Sequence, residues 1–157
     1  DFRKLIGVVE RRYDRKRRFG HELASRLRTV VVQDYLTYWE SLGVTMDTEE
    51  DLHHVLRAQR ASERALAPHA NGILVLAGEP LDLEIEWTER GRSLPTWYER
   101  EAEHRADHYL LVALPKDLQR KMEAKVASLG KGCHVLPAPD PAALEQAVDV
   151  AKSILKR

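Results

Sequence analysis

The spacing of apolar residues divides the chain into helical and extended stretches. From residue 21 to about residue 42, apolar side chains recur at steps of three and four, which predicts one long helix, although the three valines at 30–32 also fit a short strand. Asp47 or Thr48 is placed to cap a second helix that ends before Pro68. Further helices are predicted at about 96–106, 115–129 and 141–155.

The middle of the chain changes to an alternating pattern. An apolar run at 72–77 is followed by the turn residues 78–80 and then by residues 81–87, in which apolar and acidic side chains alternate. This pattern predicts a β-hairpin whose second strand has an acidic face. Strands are also predicted at 109–114 and 133–136, and the helix between them implies parallel pairing. The fold class is therefore α/β, with a mixed sheet that contains a central hairpin and parallel C-terminal strands.

Length and composition limit the class of protein. A chain of 157 residues fits one α/β domain, which we place at 21–157 after a basic N-terminal segment at 1–20. The net charge of zero excludes a uniformly basic nucleic-acid binder. No apolar run reaches the roughly 18 residues of a membrane span and no signal-peptide pattern is present, so we expect a cytoplasmic protein without membrane contact. Because the sequence starts at Asp1, we expect a longer protein whose other domains are partners.

Two acids on the second predicted strand are candidates for metal binding. Glu84 and Glu86 would project from the same strand face about 6–7 Å apart, which allows both carboxylates to reach one hard cation such as Mg²⁺. A metal held there would activate water and stabilise charge on a phosphate. The residues leave open the simpler reading of a solvated acidic strand face.

Basic residues supply candidate contacts to a nucleic-acid backbone. Six of the eight residues at 11–18 are Arg or Lys, with Tyr13 among them and Phe19 next, a composition suited to phosphate contacts and base stacking: Arg11, Arg12, Arg15, Lys16, Arg17 and Arg18. A solvated helix face or a disordered arm is the alternative. Arg90 and Arg92 form a second basic site close to the two acids.

The order of these elements resembles the restriction-endonuclease-like superfamily. The segments 68–74, 83–91 and 21–24 are most similar to plasmid replication-relaxation proteins, and the resemblance covers roughly residues 20–137. It implies a site built from Glu22, Asn71, Glu84 and Glu86 with Mg²⁺. Asn71 stands where that superfamily has an aspartate and Glu86 where it has a lysine, so Arg100 or Arg105 would have to supply the positive charge.

The resemblance implies a DNA-acting domain of a plasmid or mobile-element replication or transfer protein. It is nuclease-like, a metal-dependent DNA endonuclease if active, and otherwise a degenerate relative that binds DNA. The alternative is a non-catalytic interaction or homodimerisation module. A flavodoxin-like or receiver-like domain would require a parallel sheet throughout, which the predicted hairpin argues against.

Other familiar motifs are missing from the sequence. There is no Gly-rich phosphate loop, and the lone Cys133 allows neither an internal disulfide nor a cysteine-based zinc site. His104 and His108 are four residues apart, but they straddle a predicted helix end and no third ligand is evident.

Overall fold

Five strands form one sheet in which every neighbouring pair is parallel. The computed structural model describes residues 4–10 and 18–157, and its strand order is β2-β3-β1-β4-β5. The strands are β1 (Lys4–Glu10), β2 (Val31–Val32), β3 (Ile73–Leu76), β4 (His108–Val112) and β5 (Gly132–Leu136). β1 is central, with Gly7 opposite both Leu76 of β3 and Tyr109 of β4.

Helices connect these strands and cover the sheet. They are α1 (Phe19–Arg26), α2 (Tyr35–Ser41), α3 (Glu49–Leu66), α4 (Pro80–Thr88), α5 (Tyr98–Ala102), α6 (Lys116–Ser128) and α7 (Pro141–Leu155), with a short 3₁₀ turn at Ala67–His69. The order β4, α6, β5, α7 confirms the predicted parallel C-terminal unit. Thr48 and Asp51 form a capping box that starts α3 at the predicted position.

The N-terminal strand belongs to the core of the domain. The side chains of Ile6, Val8 and Val9 are almost fully buried, as expected for a parallel strand covered by helices on both faces. Residues 4–10 are therefore the centre of the sheet and not part of a separate basic segment at 1–20. The remainder of that segment, apart from Arg18 to Gly20, lies outside the described residues.

The predicted β-hairpin is wrong, because its second half is helix α4. Pro80 occupies the first turn and the carboxylate of Glu79 accepts a hydrogen bond from Leu81 N, so the turn residues start a helix. Leu81 and Ile85 pack on the sheet, whereas Leu83 and Trp87 pack on a separate cluster with α2, α3 and α5. Leu81 and Ile85 form one i, i+4 pair, and Leu83 and Trp87 form another that begins two residues later. Together the two pairs place an apolar residue at every second position, which is also the pattern of a half-buried strand.

The predicted long helix at 21–42 is divided into three elements. α1 ends at Arg26, Arg28 adopts a positive φ of 54°, and the chain then enters the short strand β2. Asp34 caps α2 by accepting a hydrogen bond from Leu36 N at 3.1 Å. The alternative that we left open, a strand within the valine run, is confirmed at Val31–Val32.

The two faces of the sheet carry different helices. Residues of α1 and α7 form one core cluster with Ile6, Val8 and Leu110, and we call this side the α1–α7 face. Residues of α4 and α6 form another with Val9, Tyr109 and Leu111, which we call the α4–α6 face. The connection from β3 to β4 crosses over β1 on the α4–α6 face.

The sheet is parallel throughout, so the predicted hairpin no longer argues against a flavodoxin-like or receiver-like domain. The strand order does argue against one, because in those folds the first strand lies next to the second, whereas here β1 lies between β3 and β4. Within residues 4–10 and 18–157, no helix combines the length and apolar character needed to cross a membrane.

Candidate functional site

The residues predicted to form a nuclease site do not meet in one pocket. Glu84 and Glu86 lie two positions apart on helix α4, so their side chains leave on different sides of the helix. Glu22 is exposed on α1, on the other face of the sheet. Asn71 is exposed before β3, where its side-chain amide donates to Arg28 O at 3.3 Å. The four residues therefore cannot share one cation.

Arg90 and Arg92, the second predicted basic site, both contact other residues of the domain. Arg90 donates to Glu40 Oε2 at 3.2 Å, and Arg92 bonds to Asp47 Oδ1 at 3.3 Å while its guanidinium lies 4.9 Å from the centre of the Trp87 ring. These arginines join α4 and its following loop to the segments around α2, so they are occupied in structural contacts.

The remaining predicted cations lie at different places. Arg100 is exposed on α5, and Arg105 bonds to Glu63 at 3.0 Å. Arg18 is exposed just before α1, whereas the predictions for Arg11, Arg12, Arg15, Lys16 and Arg17 fall outside the described residues. Phe19 is 2% exposed and is packed in the core, so it is not placed to stack on a base.

A partly buried polar cluster lies between helices α4, α5 and α6, in which the side chains of Glu84 and His104 are buried and that of Glu99 is about half exposed. It consists of Glu84 from α4, Glu99 from α5, His104 from the loop after α5, and Lys125 from α6; we call it the Glu84 cluster. Glu103 ends α5 with a left-handed φ of 45°, and the turn brings His104 back towards α4. His104 Nε2 lies 3.1 Å from Glu99 Oε2.

Lys125 lies between the two carboxylates of the Glu84 cluster. Its ammonium bonds to Glu99 Oε1 and lies 3.4 Å from Glu84 Oε1. The second contact is an ion pair without hydrogen-bonding geometry, because Glu84 Oε1 has no hydrogen-bond partner among the described residues. His104 Nδ1 is also buried without one, at 3.8 Å from Glu79 Oε1.

Glu79 lies next to the Glu84 cluster, where its carboxylate faces His104. It is fully buried at the N-cap of α4, and its Oε1 accepts a hydrogen bond of 2.8 Å from the hydroxyl of Tyr109. The preceding residue must be glycine, because a Cβ on Gly78 would lie 2.8 Å from the backbone Cα of Asp34. This close approach places Glu79 at the start of α4.

Burial and neighbouring charges shift the protonation equilibria of the cluster. Burial raises the pKa of Glu84 above its usual value, and the charge of Lys125 opposes this only in part. For His104, burial lowers the pKa, but the contacts with Glu79 and Glu99 outweigh it and raise the pKa above its usual value. Burial likewise opposes charge on Lys125, yet bonding to Glu99 raises its pKa. The cluster therefore favours positive charge in its centre.

The donor atoms of Glu84, Glu99 and His104 are close enough to hold a metal ion. One ligand atom from each lies within 4.8 Å of the other two. The prediction of a metal ligand at Glu84 is consistent with this arrangement, whereas Glu86 is not part of it and lies 4.0 Å from Arg90 Nη2. The histidine pair considered from the sequence does not form, since His108 contacts His134.

The sequence did not connect Glu99 and His104 with Glu84, because the return of the chain after α5 brings them together. One available signal was Pro80. A helix starting there would place Glu84 between two apolar stripes, where a buried carboxylate needs a partner.

The carboxyl edge of the sheet beside β1 is a second candidate region. Glu10 ends β1, and its carboxylate accepts a hydrogen bond of 3.3 Å from Phe19 N at the start of α1. Glu10 and Phe19, which flank the basic residues 11–18 in the sequence, therefore both lie at this edge. β4 reaches the same level, with Val112 opposite Glu10.

The chain shows no significant match to any protein-family model or to any curated protein. The described residues form an all-parallel α/β domain with a partly buried carboxylate–histidine cluster, and six of the eight residues between β1 and α1 are basic.

Proposed function

We propose that this domain binds the phosphate groups of a nucleotide at the carboxyl edge of β1. The proposal rests on the connections that follow β1 and its neighbouring strands, because they lie on opposite faces of the sheet. Helix α1 leaves β1 towards one face of the sheet, whereas α4 and α6 leave the neighbouring strands β3 and β4 towards the other face. In open parallel sheets, ligands bind in the crevice that opens at such a position.

The charge of the connecting segment supports an anionic ligand. The linker 11–18 joins the carboxyl end of β1 directly to α1, and six of its eight residues are basic. The chain as a whole has no net charge, so this segment is a local concentration of cations.

Side chains rather than backbone amides would hold the phosphates. The linker contains no glycine, so it lacks the composition of a loop that wraps phosphates with its N–H groups. Phe19 N is also already bonded to Glu10. The proposed contacts are therefore guanidinium and ammonium groups, of which Arg18 is the described member.

Calorimetry with ATP, GTP and inorganic triphosphate tests the proposal. We expect binding that weakens with salt, and a loss of about five- to tenfold in affinity for Arg18→Ala, which corresponds to about 1 kcal/mol for one exposed contact screened by solvent. Arg26→Ala is the matched control, because Arg26 is exposed at the opposite end of the same helix and pairs with Glu145. Equal losses in both variants would show that the carboxyl edge has no special role.

DNA is the second candidate ligand, and the length of the basic run favours it. Six cations in eight residues exceed the number that one nucleotide requires. In this form the domain is the DNA-acting part of a plasmid or mobile-element protein, as the resemblance implies, and binds without a magnesium site at Glu84 and Glu86.

Salt dependence separates the two ligands. DNA binding predicts a steep fall of log affinity with log salt, and a flatter slope when Arg15, Arg17 and Arg18 are all changed to Ala. Unchanged DNA affinity in that triple variant would exclude the linker as the contact. If neither DNA nor nucleotides bind, the remaining reading is an interaction module.

A further inference from the structure

The Glu84 cluster has the composition of a metal-binding site that is closed by a lysine. We infer that Glu84, Glu99 and His104 bind one divalent transition-metal ion of the zinc class, and that Lys125 leaves the centre of the cluster when the metal enters. This site is separate from the carboxyl edge of β1, so the inference does not depend on nucleotide or DNA binding.

Two buried atoms in the cluster lack a hydrogen bond among the described residues. They are Glu84 Oε1 and His104 Nδ1, on side chains that are 8% and 5% exposed. Buried polar atoms without a hydrogen bond are costly and uncommon in folded proteins. Glu84 Oε1 lies beside the ammonium group that also contacts Glu99, so a cation shared with Glu99 would satisfy it, whereas His104 Nδ1 faces Glu79.

The donor set favours a transition metal over magnesium. Two carboxylates and one imidazole match the ligands of zinc and related ions, whereas Mg²⁺ prefers six oxygen ligands in an octahedron. Ligand atoms around tetrahedral zinc are about 3.4 Å apart, given bond lengths near 2.1 Å. Donors that now lie within 4.8 Å of one another would reach this separation by shifts of about 1 Å.

Glu79 is placed to orient the histidine. Its Oε1 lies 3.8 Å from His104 Nδ1 and is held there by the Tyr109 hydroxyl. A histidine that ligates a metal through one nitrogen commonly donates its other N–H to a carboxylate. A small movement of His104 would make this bond and would leave Nε2, which now faces Glu99, for the metal.

Lys125 supplies positive charge to the two carboxylates of the cluster. Its ammonium contacts both carboxylates, so a cation can enter only if the ammonium leaves. The side chain is 24% exposed at its position on α6, and its flexible stem can turn towards solvent. Lys125 is therefore a competitor of the metal for the same two carboxylates.

Titration of the protein with Zn²⁺ by calorimetry, and with Co²⁺ by visible absorption, tests the inference. His104→Gln and Glu99→Gln should each weaken binding at least tenfold, because each removes one of three ligands. Lys125→Met should strengthen binding, since it removes the competing ammonium while keeping an apolar stem of similar length. Circular dichroism checks that each variant is folded.

Matched controls separate this site from incidental metal binding. Glu101→Gln changes an exposed carboxylate on the same helix as Glu99, and His134→Gln changes an exposed imidazole outside the cluster. Both should leave the affinity unchanged. The inference is overturned if wild type and Lys125→Met both fail to bind Zn²⁺, or if His134→Gln abolishes binding while His104→Gln does not.

Discussion

The two faces of the sheet are formed by the same strands, but the helices that cover them pack through different kinds of side chain. On the α1–α7 face, the core contacts are apolar: Leu23 and Ala24 of α1 and the small side chains of α7 pack on Ile6, Val8 and Leu110. On the α4–α6 face, apolar contacts surround buried acids and a tyrosine–glutamate hydrogen bond. Both faces bury some polar side chains, with Glu10 and His108 at strand ends on the α1–α7 face, but among the described residues a group of possible metal ligands occurs only on the α4–α6 side.

Removing apolar volume should have the largest effect, on either face. Leu110 and Leu111 are adjacent on β4, are both almost fully buried and point to opposite faces. Leu110→Ala should lower the free energy of unfolding by about 2–5 kcal/mol, because it removes buried methyl groups and leaves a cavity. Urea denaturation measures the change.

Leu111→Ala is the matched variant for the other face, and we expect a loss of similar size. A much smaller loss would mean that the α4–α6 face is loosely packed. Its buried polar groups would then be tolerated by loose packing and would not indicate a functional site.

Removing one buried hydroxyl should have an intermediate effect, on the polar face alone. Tyr109→Phe deletes the hydrogen bond to Glu79 Oε1 and leaves that carboxylate oxygen buried. We expect a loss of about 1–3 kcal/mol in the free energy of unfolding. Tyr38→Phe, at a tyrosine that is 55% exposed, should change it by less than about 0.5 kcal/mol. Equal effects would indicate that the buried bond to Glu79 contributes nothing particular.

The last expected effect depends on pH and concerns the contact between His108, at the amino end of β4, and His134. Burial, with the neighbouring His134 and Arg157, lowers the pKa of His108 from its usual value near 6.5 to about 4. The fold thus favours neutral His108, and this stabilisation is complete above pH 6.5 and is lost as the pH falls towards 4. The slope contributed by His108 is at most about 1.4 kcal/mol per pH unit.

Unfolding followed from pH 7 to pH 4 measures this slope. His108→Leu should show a shallower decline than wild type over that range, because it lacks the group that gains a proton on unfolding. Identical slopes would place the acid sensitivity elsewhere in the chain.

The sequence alone determined those elements whose signals are local. The β4-α6-β5-α7 unit was predicted because each helix has a single apolar stripe and each strand is a short apolar run. The start of α3 was predicted because its cap lies within four residues of the chain. The prediction of a metal ligand at Glu84 rested on a strand that is a helix, although Glu84 does lie in a group of residues that could hold a metal ion.

Only the tertiary structure determined the features that involve packing against more than one element. Helix α4 is buried against both the sheet and the α2–α3–α5 cluster, so its apolar pattern carries two overlapping stripes that a single-period reading takes for a strand. The Glu84 cluster likewise joins residues from α4, α5 and α6, whose separation along the chain gives no local signal. Local periodicity reports which residues are buried, but only the packing of several elements decides what they are buried against.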